Sequence, residues 1–499
     1  MIRALVSIGL LQFVSMLLLL ARTKIVALAL GPEGVGVIAS LDRVTAVVAQ
    51  TLSLSLPFAA LRFLPAAERE SPDQAEALYR AMRNVSVALV ALATISCVGV
   101  TIIAPQVWGR ALVPYQGALI LAFAALPVVG LVPFLTNAFA STRGHLASMR
   151  FTVASSLVFV FAAVASAAGF GVAGFYGTYA VLGAALVLFA MVKLHVPGAG
   201  QESHQRLEEG PLRLPREVWA FSLWLFPLTF AAPYAAWFIQ YSVLSLYGAG
   251  KAGLLQGAIG ISLSVRTLLG AAHSIFLTPH VNRHANSPER MAWANDFQRH
   301  TVMIFIAALP PILLFSDVEL AVLYAPAFIA AAPFVALFVA TEVMTLLSGS
   351  YQPLLLADNR LRFHVGQNIA AQLLLVAIAA IAIPRLGLAG AGLATLAAPI
   401  FLFGTTLWYL RRQLGVRPSS EAAHMCWLTV AVLVICGAIG SLYPGMSLER
   451  LAAKAAACGC VWVAAYLVMP AEDRGRVRRT LADIWRRGIA LLSRRGRLA

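Results

Sequence analysis

The chain has 499 residues, of which 60% are hydrophobic and only 12% are charged, and its formal net charge is +16. Soluble domains carry about 25% charged residues, so this composition excludes an ordinary soluble fold. In such an apolar chain the positive charge indicates membrane topology rather than nucleic-acid binding. The five cysteines have no C-x-x-C spacing, so neither disulfides nor a zinc site is expected.

Apolar segments long enough to cross a bilayer recur from one end of the chain to the other. The first is longer than the apolar region of a signal peptide and is interrupted by Arg22 and Lys24, so we interpret it as a span and not as a signal peptide. We predict an all-α polytopic membrane protein with about fourteen spans. The predicted spans are 4–30, 35–62, 80–104, 114–140, 147–169, 172–194, 218–247, 252–279, 300–316, 322–356, 364–384, 386–410, 424–443 and 452–469.

The distribution of basic residues predicts the orientation of these spans. An even number of spans puts both termini on one side, and most of the 37 lysines and arginines then fall on that side. The positive-inside rule therefore predicts cytoplasmic termini in a bacterial cytoplasmic membrane. The few cations on the opposite side are Arg110, Lys251, Arg385, Arg450 and Lys454.

The two halves of the chain match each other at a nearly constant offset. Gly31 matches Gly248, and Gly171 matches Gly387, at equivalent places between spans; chance coincidence of glycines is the alternative. A repeat of six spans predicts two pseudo-symmetric six-helix lobes around a central cavity, which is a transporter architecture. The predicted domains are an N-lobe over 1–194, a cytoplasmic linker over 195–216, a C-lobe over 217–412, two extra spans over 413–470 and a basic cytoplasmic tail over 471–499.

The tail combines arginines with apolar residues at helical spacing. Val477, Leu481, Ile484 and Trp485 follow this spacing, which predicts a basic amphipathic helix on anionic membrane lipids. The alternative is a solvated basic tail that only enforces the topology.

Ionisable residues inside the predicted spans are candidate functional residues, because a charge is costly at bilayer depth. The excess of cations over acids favours an anionic ligand, and guanidinium groups suit phosphate oxygens because they donate two hydrogen bonds at once. We expect these side chains to line the central cavity rather than face lipid. The cations are Arg22, Lys24, Arg43 and Arg266, and the acids are Asp42 and Glu342.

Each of these charges also has a purely structural interpretation. Arg22 and Lys24 could reach the headgroups by extending along the helix. Arg266 could form a structural ion pair with Glu342. Asp42 and its neighbour Arg43 point about 100° apart on a helix, so a local pair between them requires bending.

Aromatic residues on one face of the seventh predicted span are candidate sugar contacts. Tyr234, Trp237 and Tyr241 share that face, and plain interfacial packing is the alternative. The glycine-rich segments 31–36 and 387–392 follow no strand, and the chain has no Walker motif, so no nucleotide cofactor is expected. Paired catalytic acids on a large loop are also absent from the sequence, and we predict no enzymatic activity.

One run of residues resembles a known family. Ala21-Arg-Thr-Lys-Ile-Val-Ala-Leu-Ala-Leu-Gly31-Pro-Glu-Gly-Val-Gly36 is similar to the N-terminal signature of Wzx-type polysaccharide flippases, in the multidrug/oligosaccharidyl-lipid/polysaccharide exporter superfamily. The six-plus-six repeat extends the resemblance over about residues 1–412. It implies an alternating-access flippase whose cavity cations hold the pyrophosphate of an undecaprenyl-linked oligosaccharide. Arg22 and Arg266 fall where such cations are expected in the two halves.

The resemblance implies a role in O-antigen or exopolysaccharide biosynthesis, with a polymerase and a chain-length protein as pathway partners. Asp42 or Glu342 would couple the cycle to protons or sodium. A lipid II flippase is an alternative, because two extra C-terminal helices occur in that group. A multidrug antiporter is another, although its cationic drugs favour an acidic cavity.

Overall fold

The computed structural model describes residues 2–194, 214–272, 289–357, 360–413, 415 and 417–479, and within these ranges every regular element is helical. Eleven helices in this part of the chain are long and apolar enough to cross a membrane. The predicted all-α polytopic fold is therefore confirmed. The number eleven is compatible with fourteen spans because three of these helices, Leu10–Ser53, His145–Lys193 and Arg216–Arg266, each contain two predicted spans.

The helices follow the predicted spans in chain order. The first half contains α1 (Ile2–Ser53), α2 (Leu56–Glu70), α3 (Pro72–Ile103), α4 (Gln116–Ala124), α5 (Leu126–Thr142), α6 (His145–Ala165) and α7 (Gly171–Lys193). The second half contains α8 (Arg216–Ala272), α9 (Glu289–Leu314), α10 (Ser316–Leu323), α11 (Ala332–Gly349), α12 (Gln352–Ala357), α13 (Leu361–Leu386), α14 (Leu388–Gln413), α15 (Ser420–Leu442) and α16 (Leu448–Val468). A further helical segment occupies 471–479.

Glycines separate the paired spans. Gly31 inside α1 has φ 62° and ψ −170°, and Gly248 inside α8 has φ 81° and ψ 174°. Gly171 and Gly387 both have φ 59°. A side chain disfavours this left-handed region, so only glycine joins two helices there without strain. The glycines that aligned the two halves of the sequence thus have matching backbone conformations, which supports an internal repeat.

The second predicted span, 35–62, is interrupted. Leu54 and Ser55 both have positive φ, and α2 begins directly after them with Pro57 in its first turn. Proline has no backbone N–H and cannot continue a preceding helix. Ser55 lies in hydrogen-bonding distance of Thr229, 2.7 Å between the two hydroxyl oxygens.

The chain forms two compact units. The first contains residues 1–261, 319–341 and 361–402. In this unit α1 and α8 cross at Gly36 and Gly253, where an added Cβ would overlap the backbone of the opposite helix at Ala249 and Pro32. The two helices therefore meet backbone to backbone, which is possible because small residues allow close helix contact.

The second unit contains residues 262–318, 342–360 and 403–499. Its centre is α9, against which α15 and α16 pack. Lys454 of α16 donates to both carboxylate oxygens of Asp317, in α10, at 2.7 Å, and the Gly445 N–H donates to Asp317 at 2.8 Å. Arg299 of α9 donates to Asp473, in the helical segment 471–479, at 2.8 Å. Ion pairs thus attach the C-terminal part of the chain to both α9 and α10.

Parts of the predicted domain organisation lie outside the described residues. These are most of the linker, over 195–213, and the tail beyond residue 479, which includes Leu481, Ile484 and Trp485. The lobe and linker boundaries remain predictions.

Candidate functional site

Arg22 and Asp42 form an ion pair in the first compact unit. The Nη2 atom of Arg22 donates to Oδ2 of Asp42 at 3.1 Å. Twenty residues of straight helix would separate the two positions by about 30 Å. The joint at Gly31 between them breaks α1 and allows the second half to pack beside the first. The pairing therefore depends on a backbone conformation that favours glycine.

The second oxygen of Asp42 also has a partner. The Tyr176 hydroxyl lies 2.7 Å from Oδ1 of Asp42 and 2.9 Å from the carbonyl oxygen of Ile38. Tyr176 is 1% exposed, and a buried phenol needs such a partner because an unpaired hydroxyl costs free energy. Both carboxylate oxygens of Asp42 are thus hydrogen-bonded, one to a cation and one to a phenol.

Aromatic rings surround the guanidinium of Arg22. Its central carbon lies 4.6 Å from the ring centroid of Phe159 and 5.1 Å from that of Phe175. These distances are within the range of cation–π attraction. Phe159 in turn stacks on Tyr179, with ring centroids 4.5 Å apart and planes 19° apart. We call Phe159, Phe175, Tyr176 and Tyr179 the aromatic shell of Arg22.

Two further cations lie near this pair in the sequence. Lys24 donates from Nζ to the carbonyl oxygen of Ala321 at 3.0 Å. Arg43 is partly exposed and makes no hydrogen bond or ion pair with any described residue. Asp42 is paired with Arg22 and not with its neighbour Arg43, in agreement with the divergence expected of adjacent helical residues. The segment of α1 from residue 22 to residue 43 thus carries three cations and two carboxylates, Asp42 and the exposed Glu33, and has a positive excess.

Arg266 and Glu342 belong to the second compact unit and face each other at a longer distance. Nε of Arg266 lies 3.9 Å from Oε2 of Glu342, which is an ion pair but too long for a hydrogen bond. The Arg266 side chain is 58% exposed, whereas that of Glu342 is 10% exposed. Oε2 of Glu342 is buried and has no hydrogen-bond partner among the described residues. The structure therefore contains the predicted alternative, an Arg266–Glu342 pair, in a loose form.

The three aromatic residues of α8 form part of a continuous ladder. Tyr234 and Trp237 have centroids 5.5 Å apart, as do Trp237 and Tyr241. The ladder continues through Phe230 to Phe226 by stacked contacts. Nε1 of Trp237 is buried without a hydrogen-bond partner among the described residues. The rings pack on each other along the helix, and their role as sugar contacts stays a prediction.

Sequence reasoning missed the aromatic shell of Arg22. Phe159, Phe175 and Tyr176 look like ordinary core residues of apolar spans, and no spacing rule connects them to Arg22. One signal was available: Tyr176 follows the glycine-rich segment that aligns the repeat, and a tyrosine hydroxyl inside an apolar span requires a partner. Sequence reasoning counted Lys454 only as one of the cations on the side opposite to the termini and did not predict its pairing with Asp317, in which its side chain is 2% exposed.

No protein-family model matches the chain, and no curated protein matches it by sequence. Solved structures do match. The lipid II flippase MurJ in an inward closed conformation has a TM-score of 0.67 and 11% identity, and the match covers 92% of this chain and 97% of that chain. An inward-facing multidrug resistance MATE family transporter of the MOP superfamily has a TM-score of 0.61 and 16% identity, covering 80% of this chain and 94% of that one.

A third similar structure is a MOP superfamily transporter from Pyrococcus furiosus, described by the reverse polarity of its binding pocket. Its TM-score is 0.55 at 13% identity, with 79% of this chain and 94% of that chain covered. At these identities the likeness shows the fold alone. The chain therefore has the polytopic fold that these flippases and transporters share.

Proposed function

We propose that this protein is a flippase that moves an undecaprenyl-pyrophosphate-linked oligosaccharide across the cytoplasmic membrane by alternating access, for O-antigen or exopolysaccharide biosynthesis. The fold shared with MurJ and MATE transporters supports a transport function and gives no sign of an enzyme. The sequence resemblance of residues 21–36 to Wzx-type flippases supports the substrate class.

The positive excess along α1 carries this proposal. Arg22, Lys24 and Arg43 outnumber the two carboxylates of this segment, Asp42 and the exposed Glu33, and Arg43 makes no hydrogen bond or ion pair with a described residue. A cation kept inside a membrane helix without a protein acceptor is costly unless a ligand neutralises it. A pyrophosphate carries several anionic oxygens and accepts paired hydrogen bonds from guanidinium groups.

In the proposed cycle each group has a separate task. Arg22, Lys24 and Arg43 bind the pyrophosphate, Arg266 with its exposed guanidinium is a further anion contact, and the polyprenyl tail stays in the bilayer. Tyr234, Trp237 and Tyr241 stack on sugar rings. Asp42 or Glu342 couples the cycle to protons or sodium.

The cellular setting is part of the proposal. The excess of basic residues on one side supports cytoplasmic termini in an inner membrane. The C-terminal tail contacts anionic lipids, and the polymerase and chain-length proteins of the same pathway are proposed partners. The binding site as proposed needs no metal or organic cofactor.

A lipid II flippase is the second candidate, because the match to MurJ covers 92% of this chain and so extends beyond the twelve spans of the repeat. Both candidates handle a lipid-linked pyrophosphate and differ in the sugar. A multidrug antiporter fits the MATE likeness but predicts an acidic site for cationic drugs. The Pyrococcus furiosus transporter illustrates that pocket polarity can distinguish functions within this fold, since its description links the two.

Reconstitution into liposomes with fluorescent lipid-linked pyrophosphates tests the proposal. We expect wild type to move the labelled lipid, Arg43→Gln to lose most of this activity and Arg43→Lys to retain part of it. Arg110→Gln is the matched control, because Arg110 is exposed and lies outside the cluster. Movement of lipid II in preference to shorter oligosaccharides would select the second candidate. Equal activity of wild type and Arg43→Gln, or export of cationic drugs alone, would overturn the proposal.

A further inference from the structure

The guanidinium of Arg22 lies over two aromatic rings and has unused N–H donors. Its central carbon is 4.6 Å from the ring centroid of Phe159 and 5.1 Å from that of Phe175. Of its five N–H donors, only one on Nη2 has an acceptor among the described residues, Asp42. Arg22 makes no other hydrogen bond with a described residue, and its side chain is 21% exposed.

Contacts with two rings and a hydrogen bond to Asp42 restrict the movement of the guanidinium and leave its other donors available. A phosphate accepts two parallel hydrogen bonds only when it lies in the guanidinium plane. An arginine held by rings loses less conformational freedom on binding than one that is mobile in solvent, so preorganisation raises affinity.

Asp42 accepts a hydrogen bond from the guanidinium of Arg22, and Tyr176 restricts the movement of Asp42 in turn. Tyr176, buried and hydrogen-bonded to Oδ1 of Asp42, restricts the rotation of the carboxylate whose other oxygen accepts from Arg22. Phe175 contacts Tyr176 edge to face, with centroids 5.2 Å apart and planes at 84°. The aromatic shell is therefore one connected set of contacts that ends at Arg22.

We propose that Phe159, Phe175 and Tyr176 are positioning residues that hold Arg22 in the plane required for a bidentate grip on a pyrophosphate. This inference rests on the proposed function and names groups that determine the affinity of the Arg22 site for pyrophosphate. The rings do not touch the ligand; they act through Arg22.

The chain offers a matched control for the loss of a ring. The guanidinium carbon of Arg62 also lies over two rings, 4.7 Å from the centroid of Phe221 and 5.5 Å from that of Phe63. Arg62 lies at the exposed end of the second predicted span and is not part of the proposed anion site. Phe221→Leu therefore removes the same type of contact as Phe159→Leu without touching Arg22.

The test measures binding of inorganic pyrophosphate to the purified full-length chain by titration calorimetry. We expect Phe159→Leu to bind roughly tenfold more weakly than wild type, in line with one cation–π contact at a partly desolvated site. Phe159→Tyr keeps the ring face and should bind like wild type, and Phe221→Leu should be unchanged. The unfolding temperatures without ligand should be similar for Phe159→Leu and Phe221→Leu.

A second background shows whether the ring acts through Arg22. Glutamine carries no charge and makes no cation–π contact, so in Arg22→Gln the additional Phe159→Leu change should not weaken binding further. Equal binding by wild type and Phe159→Leu, or an undiminished effect of Phe159→Leu in Arg22→Gln, would overturn the inference. Wild-type protein that does not bind pyrophosphate would overturn the proposed function, and the inference with it.

Discussion

The two arginine–carboxylate pairs of the predicted spans differ in how completely they are satisfied. Arg22 and Asp42 meet at 3.1 Å, and the second Asp42 oxygen accepts from Tyr176. Arg266 and Glu342 remain 3.9 Å apart, and Oε2 of Glu342 accepts no hydrogen bond from a described residue. The first pair is held in place by its surroundings, while the second lacks such support.

This difference indicates that the carboxylates of the two pairs have different roles. A carboxylate with both oxygens hydrogen-bonded is fixed in place and orients its arginine. A buried carboxylate with an unsatisfied oxygen leaves that oxygen available to a further partner, such as a proton or a cation. Asp42 is therefore suited to positioning, and Glu342 is the better candidate for ion coupling.

Of the three ion pairs compared, Lys454–Asp317 is the most deeply buried, and its loss should have the largest effect on stability. Lys454 is 2% exposed and Asp317 is 3% exposed, with two hydrogen bonds of 2.7 Å between them. We expect Lys454→Met to lower the free energy of unfolding by about 3–5 kcal/mol, because it leaves a buried carboxylate uncompensated. Denaturant unfolding in detergent micelles measures this, with Lys251→Met, at an exposed lysine, as the control. A loss no larger than that of the control would show that the pair is not structural.

Glu319 extends the comparison to a carboxylate that has no hydrogen bond or ion pair with the described part of the chain. It lies in α10, outside the membrane-spanning helices, and burial raises its pKa from 4.5 to about 8. The folded state therefore binds a proton that the unfolded state releases, and stability falls as pH rises from about 4.5 to 8. Glu319→Gln should remove this fall, on the order of 2 kcal/mol, allowing for the partial exposure of the side chain.

Unfolding of wild type and Glu319→Gln at several pH values between 5 and 8 measures the effect. Glu33→Gln is the control, since Glu33 is exposed. Parallel pH profiles of wild type and Glu319→Gln would contradict the assignment.

A double-mutant cycle measures how strongly Arg22 and Asp42 are coupled. We expect a coupling free energy of about 1–2 kcal/mol from Arg22→Ala, Asp42→Ala and the double variant, because the pair is partly buried and doubly supported. The cycle is repeated in Tyr176→Phe, which removes the phenol but keeps the ring. The coupling should fall there, since the carboxylate is freer to rotate. An unchanged coupling would show that Tyr176 does not orient Asp42.

The fold could be predicted from the sequence because membrane helices are recognisable by their length and apolar composition. Within the described residues the predicted spans overlap helices in chain order, and the glycine matches Gly31/Gly248 and Gly171/Gly387 share backbone conformations. Such features are local, since each depends on about twenty consecutive residues or on one residue type with special φ. The break at Leu54–Ser55 was missed because a single proline, Pro57, weighs little against a long apolar run.

The candidate site was predicted only in part, because its partners are distant in sequence. Charges inside spans identified Arg22 and Asp42 one by one, yet their pairing depends on the fold at Gly31. The contacts of Phe159 and Tyr176 with this pair bridge more than a hundred residues, and no periodicity encodes them. Lys454 shows the same limit, since its partner Asp317 lies 137 residues away.

The loose pair of Arg266 and Glu342 should give the smallest coupling. Its arginine is 58% exposed and the atoms are 3.9 Å apart, so we expect a coupling below about 0.5 kcal/mol in the cycle of Arg266→Ala and Glu342→Gln. Glu342→Gln alone should leave stability unchanged or slightly higher, because it removes a buried charge with an unsatisfied oxygen.

Transport and stability, measured together, distinguish the Arg266–Glu342 pair from the Arg22–Asp42 pair. Arg266→Ala should abolish transport of the lipid-linked pyrophosphate and leave the unfolding temperature equal to that of wild type. Arg22→Ala should lower both the transport activity and the unfolding temperature. Transport in liposomes and unfolding in micelles are measured on the same protein preparations. A strong coupling between Arg266 and Glu342 would mean that they form a structural pair like Lys454 and Asp317, and Glu342 would then no longer be suited to exchange a proton or a cation.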